Sequence, residues 1–140
     1  MSKVTTFYSF LYKANAFNHD HSGWDVSSVT DMEYMFASSV FNQDLSAWDV
    51  SSVTSMDGMF AQATAFNSPL TWGSKVASVT TMIDMFNGAT AFNQDISGRS
   101  VISVTHNSNI FYSAPMTESN KPCTSSSNII IDGGTAWRTC

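Results

Sequence analysis

The chain has 140 residues, 43 % hydrophobic and only 12 % charged, with a net charge of −5; that length suits one domain, and that apolar share excludes disorder by composition. Six Lys and Arg against eleven Asp and Glu give a surface that repels phosphate, which argues against a nucleic-acid partner. Ser, Thr and Asn (23, 14 and 10 residues) stand in for the missing charges, and no run reaches the roughly 18 apolar residues of a membrane helix.

The first residues, Met1 to Phe17, carry Lys3 and Lys13 with Thr5, Thr6 and Ser9 between them. They lack the continuous apolar stretch and small-residue cleavage site of a signal peptide. Val4-Thr5-Thr6-Phe7 with Phe10-Leu11 and Ala14 reads as the back half of a repeat unit over residues 4–16. The chain is therefore expected to start mid-repeat, as an excerpt of a longer array, and an uncapped first coil would invite end-to-end association.

From Phe17 onward the repeat is plain. Phe-Asn recurs at Phe17, Phe41, Phe66 and Phe92, in steps of 24, 25 and 26 residues. Ser-Val-Thr follows each time, beginning at Ser28, Ser52, Ser78 and Ser103. Then comes a Met-x-x-Met-Phe group: Met32, Met35, Phe36; Met56, Met59, Phe60; Met82, Met85, Phe86. The last copy reads Asn107, Ile110, Phe111, and a small residue closes each group at Ser39, Ala63, Ala89 and Ala114.

The copy Phe41–Ala65 serves as the consensus. Within it, Leu45–Val50 ends in alternation, Trp48 and Val50 on one face and Asp49 on the other, which predicts a short strand. Val53, Met56, Met59, Phe60 and Ala63 form one stripe at helical spacing, which predicts a short α- or tighter helix with Ser51 or Ser52 as its N-cap. Gly58 limits that helix to about two turns. The Met pairs read as gap-filling core residues. At the corner back to the next strand, Asn18, Asn42, Asn67 and Asn93 are predicted to bond turn backbone and to stack as a ladder. The next copy is irregular: Gly73-Ser74-Lys75 before Val76 suggests a bulge or small extra loop. The last copy puts Arg99 where the others have Trp.

One strand and one short helix cannot bury their own apolar face, but stacked units can. The expected fold is therefore an α/β repeat: a short right-handed β/α solenoid with one parallel strand and one short helix per coil. Residues 1–114 would form the solenoid and 115–140 a C-terminal cap. In that cap, Ile129–Ile131 would cover the open core, Asp132-Gly133-Gly134 turn the chain, and Trp137 plug the end. A Cys123–Cys140 disulfide would contribute about 3 kcal/mol by loop closure.

The string Phe-Asn-Gln-Asp-(Ile/Leu)-Ser-x-Trp-Asp-Val-Ser-x-Val-Thr-x-Met-x-x-Met-Phe resembles the repeat of BspA-like and mycoplasma-type surface proteins, over Val4 to Ala114. That repeat is regarded as a divergent leucine-rich repeat. The resemblance implies a β/α horseshoe or solenoid, display at the cell surface or outside the cell, and binding rather than catalysis.

The exposed positions offered for binding are Asp20, Asp44 and Asp95 on the corner, and Asp25 and Asp49 on the strand. Stacking would bring like charges to about 5 Å, a spacing a shared calcium ion would relieve. Pro69 and Gly73 interrupt both columns, however, so bonding to turn backbone is the favoured reading. His19 and His21 flank Asp20, but they sit at corner and strand positions with no Cys nearby to complete a zinc set, so they read as surface residues and no metal site is expected. Ser, His and Asp occur without a nucleophile elbow or phosphate-cradling Gly loop, so no catalytic residue, enzyme activity or cofactor is expected. A single Thr column per coil is too little for ice binding. The function expected is a non-enzymatic surface or extracellular module that binds a protein or glycan through its sheet face. The alternative is a structural subunit packed into a larger assembly.

Overall fold

A computed structural model of the chain describes residues 3–124 and 138–139. The repeat units lie one upon another as coils. A row of single parallel bridges joins Thr6 to Asp31, Asp31 to Ser55, Ser55 to Thr81 and Thr81 to His106. Beside this row the backbone amides alternate in their partners. Met32, Tyr34, Phe36 and Ser38 donate to the carbonyls of Ser55, Asp57, Met59 and Ala61 in the next coil, at 2.7–3.1 Å. The intervening Met35, Ala37 and Ser39 donate three residues back, to Met32, Tyr34 and Phe36. The next coils repeat the pattern, with Met56, Gly58, Phe60 and Gln62 donating to Thr81, Ile83, Met85 and Asn87.

Left-handed residues make this alternation possible. Ser9, Tyr34, Gly58, Asp84 and Asn109 have φ of 52–57°, one per coil. Lys13, Ser38, Gln62, Gly88 and Ser113 follow four residues later at 56–71°. An L-residue in this region costs about 1–2 kcal/mol; here the conformation turns alternate N–H groups toward the neighbouring coil, where each finds an acceptor.

The expected α/β solenoid is thereby overturned. Among the described residues the regular elements are the short 3₁₀ turns Gly73–Val76 and Glu118–Asn120, and the two-residue pair β1 (Cys123–Thr124) and β2 (Arg138–Thr139), which are parallel. The predicted helix fails because Gly58 and Gln62 are left-handed, and no right-handed helix contains such residues. Its apolar stripe is buried all the same, since successive i→i+3 turns give nearly the spacing of a helix face. The predicted strand Leu45–Val50 fails because its backbone closes turns: the Trp48 amide donates to the Leu45 carbonyl, and the Val50 carbonyl accepts from the Val53 amide. Those turns alone keep Trp48 and Val50 inside and Asp49 outside. Neither serine caps a helix: the Ser51 amide donates to Asp49, and the Ser52 hydroxyl to the Ser27 carbonyl at 2.7 Å.

The core is a set of side-chain columns along the stack. Phe36, Phe60, Phe86 and Phe111 lie nearly parallel at centroid spacings of 5.5, 5.6 and 5.9 Å. Phe41, Phe66 and Phe92 form a second column at 6.4 and 5.7 Å. The columns touch within each coil, Phe36–Phe41 at 4.1 Å and Phe60–Phe66 at 3.9 Å. Val26, Val50, Val76 and Val101 belong to the same core. Burying each such side chain contributes about 1.5–3 kcal/mol before conformational entropy is counted.

Polar ladders tie the corners. Asn42, Asn67, Asn93 and Thr117 each donate a backbone N–H to the side-chain oxygen of the Asn one coil earlier, at 2.8–3.0 Å. Thr30, Thr54, Thr80 and Thr105 set amide and hydroxyl on the preceding Thr carbonyl. Residues 116–121 extend the stack: Met116 is buried, and the Asn120 side chain donates to the Asn93 carbonyl. Ile129–Ile131, Trp137 and Cys140 lie outside the described residues.

Candidate functional site

The five aspartates offered for binding share one local role. Each accepts the amide two residues on: Asp20 from Ser22 at 2.8 Å, Asp25 from Ser27 at 3.1 Å, Asp44 from Ser46 at 2.8 Å, Asp49 from Ser51 at 3.2 Å and Asp95 from Ser97 at 2.9 Å. These are turns closed by the carboxylate, an alternative to a backbone bond that Asp offers readily. The Ser22 amide holds the Asp20 carboxyl below its ordinary pKa. The hydroxyl and amide of Ser27 do the same for Asp25, and those of Ser51 for Asp49, against slight opposition from the Asp25 charge. Asp20 and Asp44 share a shallow polar pocket of about 310 Å³ with Ser22 and Gln43. Asp95 borders a separate cavity. Among the described residues no cluster of three or more His, Cys, Asp or Glu could hold a metal ion.

His21 is not a surface residue. It is 7 % exposed and its ring lies 4.7 Å from Phe17 and 4.2 Å from Trp24, at the position Leu45, Leu70 and Ile96 fill in later coils. Its Nδ1 donates to the His19 carbonyl at 2.7 Å.

A larger site comes from residues that depart from the repeat. Tyr8, Tyr12 and Tyr34 line a groove of about 410 Å³, with Ser9, Ser38 and Gln62 among its polar walls. Tyr8 is 58 % and Tyr12 48 % exposed. Tyr8 meets Tyr34 edge-on at 6.4 Å, and the Lys13 ammonium sits 5.0 Å from the Tyr12 ring centre. The Tyr34 ring is seated on Gly58, where an added Cβ would stand 2.3 Å from ring carbon Cε1. Burial, then the charges of Asp84, Asp57 and Glu33, push the Tyr34 hydroxyl above its ordinary pKa, so it stays a neutral donor at physiological pH. The sequence signal was there. Laid under one another, the copies read Tyr34, Gly58, Asp84 and Asn109 at one position, and the tyrosine is the aromatic exception.

A second exposed surface lies on the first coil. Val4 is 54 % and Phe10 57 % exposed, whereas Val29 and Met35, their equivalents one coil on, are fully buried.

The family model described as Mycoplasma protein of unknown function, DUF285, matches residues 1–75 and again residues 71–129. The chain belongs to that family. This agrees with the mycoplasma-type part of the resemblance and does not extend to its BspA-like part. No curated protein and no solved structure matches it. Among the described residues no helix is long and apolar enough to cross a membrane.

Proposed function

We propose that this member of the Mycoplasma protein family of unknown function is a non-enzymatic binding module, displayed on the cell surface or outside the cell, with a glycan as its ligand. The observation that carries the reading is the three-tyrosine groove, two of whose rings are about half exposed. Exposed aromatic faces stack against the C–H faces of sugar rings, while the neutral Tyr34 hydroxyl and the hydroxyl and amide groups of the wall supply partners for sugar hydroxyls. The predicted sheet face is not involved, since no such sheet forms among the described repeats.

A glycan array probed with the chain, followed by titration of the strongest hit, tests this. Tyr8→Ala and Tyr12→Ala should each weaken binding about tenfold or more, equivalent to 1.4 kcal/mol. Both residues are exposed, so the fold should survive. Retention of full affinity in the double variant, or an array without any hit, would refute the assignment.

The exposed Val4 and Phe10 favour a second reading, a structural subunit packed end to end through its first coil. Light scattering separates the two: a monomer at high concentration supports the binding module, and concentration-dependent growth abolished by Phe10→Glu supports the subunit.

A further inference from the structure

The bridges joining Thr6, Asp31, Ser55 and Thr81 fix the register of the coils. Two residues on from each bridge, Tyr8, Glu33, Asp57 and Ile83 share one column; three residues on, Ser9, Tyr34, Gly58 and Asp84 share the next. Paired backbones lie about 4.8 Å apart. Glu33 therefore stands one coil beyond the exposed Tyr8, and Asp84 one coil beyond Gly58, on which the Tyr34 ring is seated. The tyrosine groove thus runs beside three carboxylates, Glu33, Asp57 and Asp84, that do not themselves line it.

Neutral donors hold all three. Glu33 Oε1 accepts from the Ser55 hydroxyl at 2.8 Å, and Asp84 Oδ1 from the Asn87 side-chain amide at 2.8 Å. Asp57 Oδ1 accepts from the Thr81 hydroxyl at 2.5 Å and the Ile83 amide at 2.7 Å. Such donors fix a carboxylate without cancelling its charge. The field of the three reaches the groove: after burial, the charges of Asp84, Asp57 and Glu33 are what raise the pKa of the Tyr34 hydroxyl. The opposite charge at the groove is Lys13, in the column of Ser38 and Gln62 and five residues along the coil from Tyr8. Its ammonium lies 5.0 Å from the Tyr12 ring centre, so a groove tyrosine already holds a cation on its face.

Aromatic rings stack on any sugar, and the charge beside them selects among sugars. An acidic sugar would be repelled by the three carboxylates, and a neutral or N-acetylated one gains nothing from them. A sugar with a free amine gains both the face of a tyrosine ring and the attraction of the carboxylates. We propose that the tyrosine groove takes a cationic glycan, one whose amino sugars carry free ammonium groups, with an ammonium placed at the Tyr8 and Tyr34 rings on the side of Glu33 and Asp84. This inference rests on the glycan reading of the groove and narrows it to one class.

Calorimetric titration of the whole chain with a β-linked glucosamine oligomer and with its N-acetylated counterpart, at about pH 6, tests it. The two share a ring backbone and differ in charge. The free-amine oligomer should bind about tenfold more tightly, and that ratio should shrink as salt is raised from about 0.05 to 0.5 M. Asp84→Asn keeps the acceptor for Asn87 and suits the left-handed backbone there; combined with Glu33→Gln it should bring the ratio toward one. Lys13→Met should raise the ratio. An acetylated oligomer bound as tightly as the free-amine one, or a ratio indifferent both to salt and to the Asp84→Asn, Glu33→Gln pair, overturns this inference and leaves the glycan reading standing. So does a groove that binds other sugars of the array and neither oligomer. An array without any hit overturns both.

Discussion

Gly58→Ala distinguishes the turn-built coil from a helix by the sign of its effect. In a helix, replacing an interior Gly by Ala stabilises by about 1 kcal/mol. Here Gly58 has φ of 57°, where an alanine costs about 1–2 kcal/mol. The new Cβ would also stand 2.3 and 2.4 Å from Cε1 and Cδ1 of Tyr34, so the ring must leave its seat. Forcing that side chain off its preferred rotamer adds roughly 1 kcal/mol. The expected loss is about 2–3 kcal/mol, a fall in thermal midpoint of roughly 6–10 °C for a chain of this size. The φ cost is bounded because Tyr34, Asp84 and Asn109 take the same conformation in neighbouring coils. Urea unfolding of Gly58→Ala, Tyr34→Ala and the double variant gives the coupling between ring and methyl. Removing the ring should recover the steric part, about 1 kcal/mol, and leave the backbone part. A stabilised Gly58→Ala would refute the left-handed turn, and zero coupling would refute the seating of the Tyr34 ring on Gly58.

Further outcomes follow from the same geometry. Phe60→Ala removes a ring stacked on Phe36, Phe86 and Phe66 at 5.5, 5.6 and 3.9 Å and should cost about 3–5 kcal/mol in urea unfolding, whereas Phe10→Ala, 57 % exposed, should cost under about 1 kcal/mol; equal losses would contradict the column. The carboxyls of Asp20, Asp25 and Asp49 are held below 3.8, so the stability they provide is complete above that pH and disappears as pH falls through their lowered values. Thermal midpoints measured from pH 6 down to 2 should therefore decline on the acid side, and Asp25→Asn with Asp49→Asn should flatten that decline; an unaltered slope would count against the turns. The β1–β2 register sets Arg138 beside Cys123, and no cysteine among the described residues is free. Intact-mass measurement without reductant should find Cys123 and Cys140 bonded, and reduction should lower stability by about 3 kcal/mol; two alkylatable thiols in the unreduced chain would exclude the bond.

The columns were readable in the sequence because stacking makes equivalent side chains neighbours: Phe41 meets Phe66, and the Asn67 amide meets the Asn42 side chain. The elements between them were not. Val53, Met56, Met59, Phe60 and Ala63 satisfy a helix stripe, yet tandem i→i+3 turns bury the same residues. The deciding feature is the left-handed residue, and its occupants give almost no composition signal. Gly58, Asp84 and Asn109 suit that conformation, but Tyr34, Lys13 and Gln62 do not announce it. The aspartates could be read as turn formers from their Asp-x-Ser setting. The tyrosine groove could not be read along the chain, because Tyr8 and Tyr34 become neighbours only through the coil period.

That difference has one physical source. In a helix each amide finds its acceptor within the segment, so local sequence carries the signal. In this fold Met32, Tyr34, Phe36 and Ser38 find theirs only in the next coil. A lone coil would leave those amides unpaired and its Phe and Met side chains exposed, so conformation and stacking must form together. The residues that set the left-handed turns are then selected by a neighbour about 25 positions away, as Gly58 is by the ring of Tyr34, 24 residues earlier, and Gly88 by the side chain of Gln62, 26 residues earlier. A reading confined to short windows meets the turn without the partner that requires it.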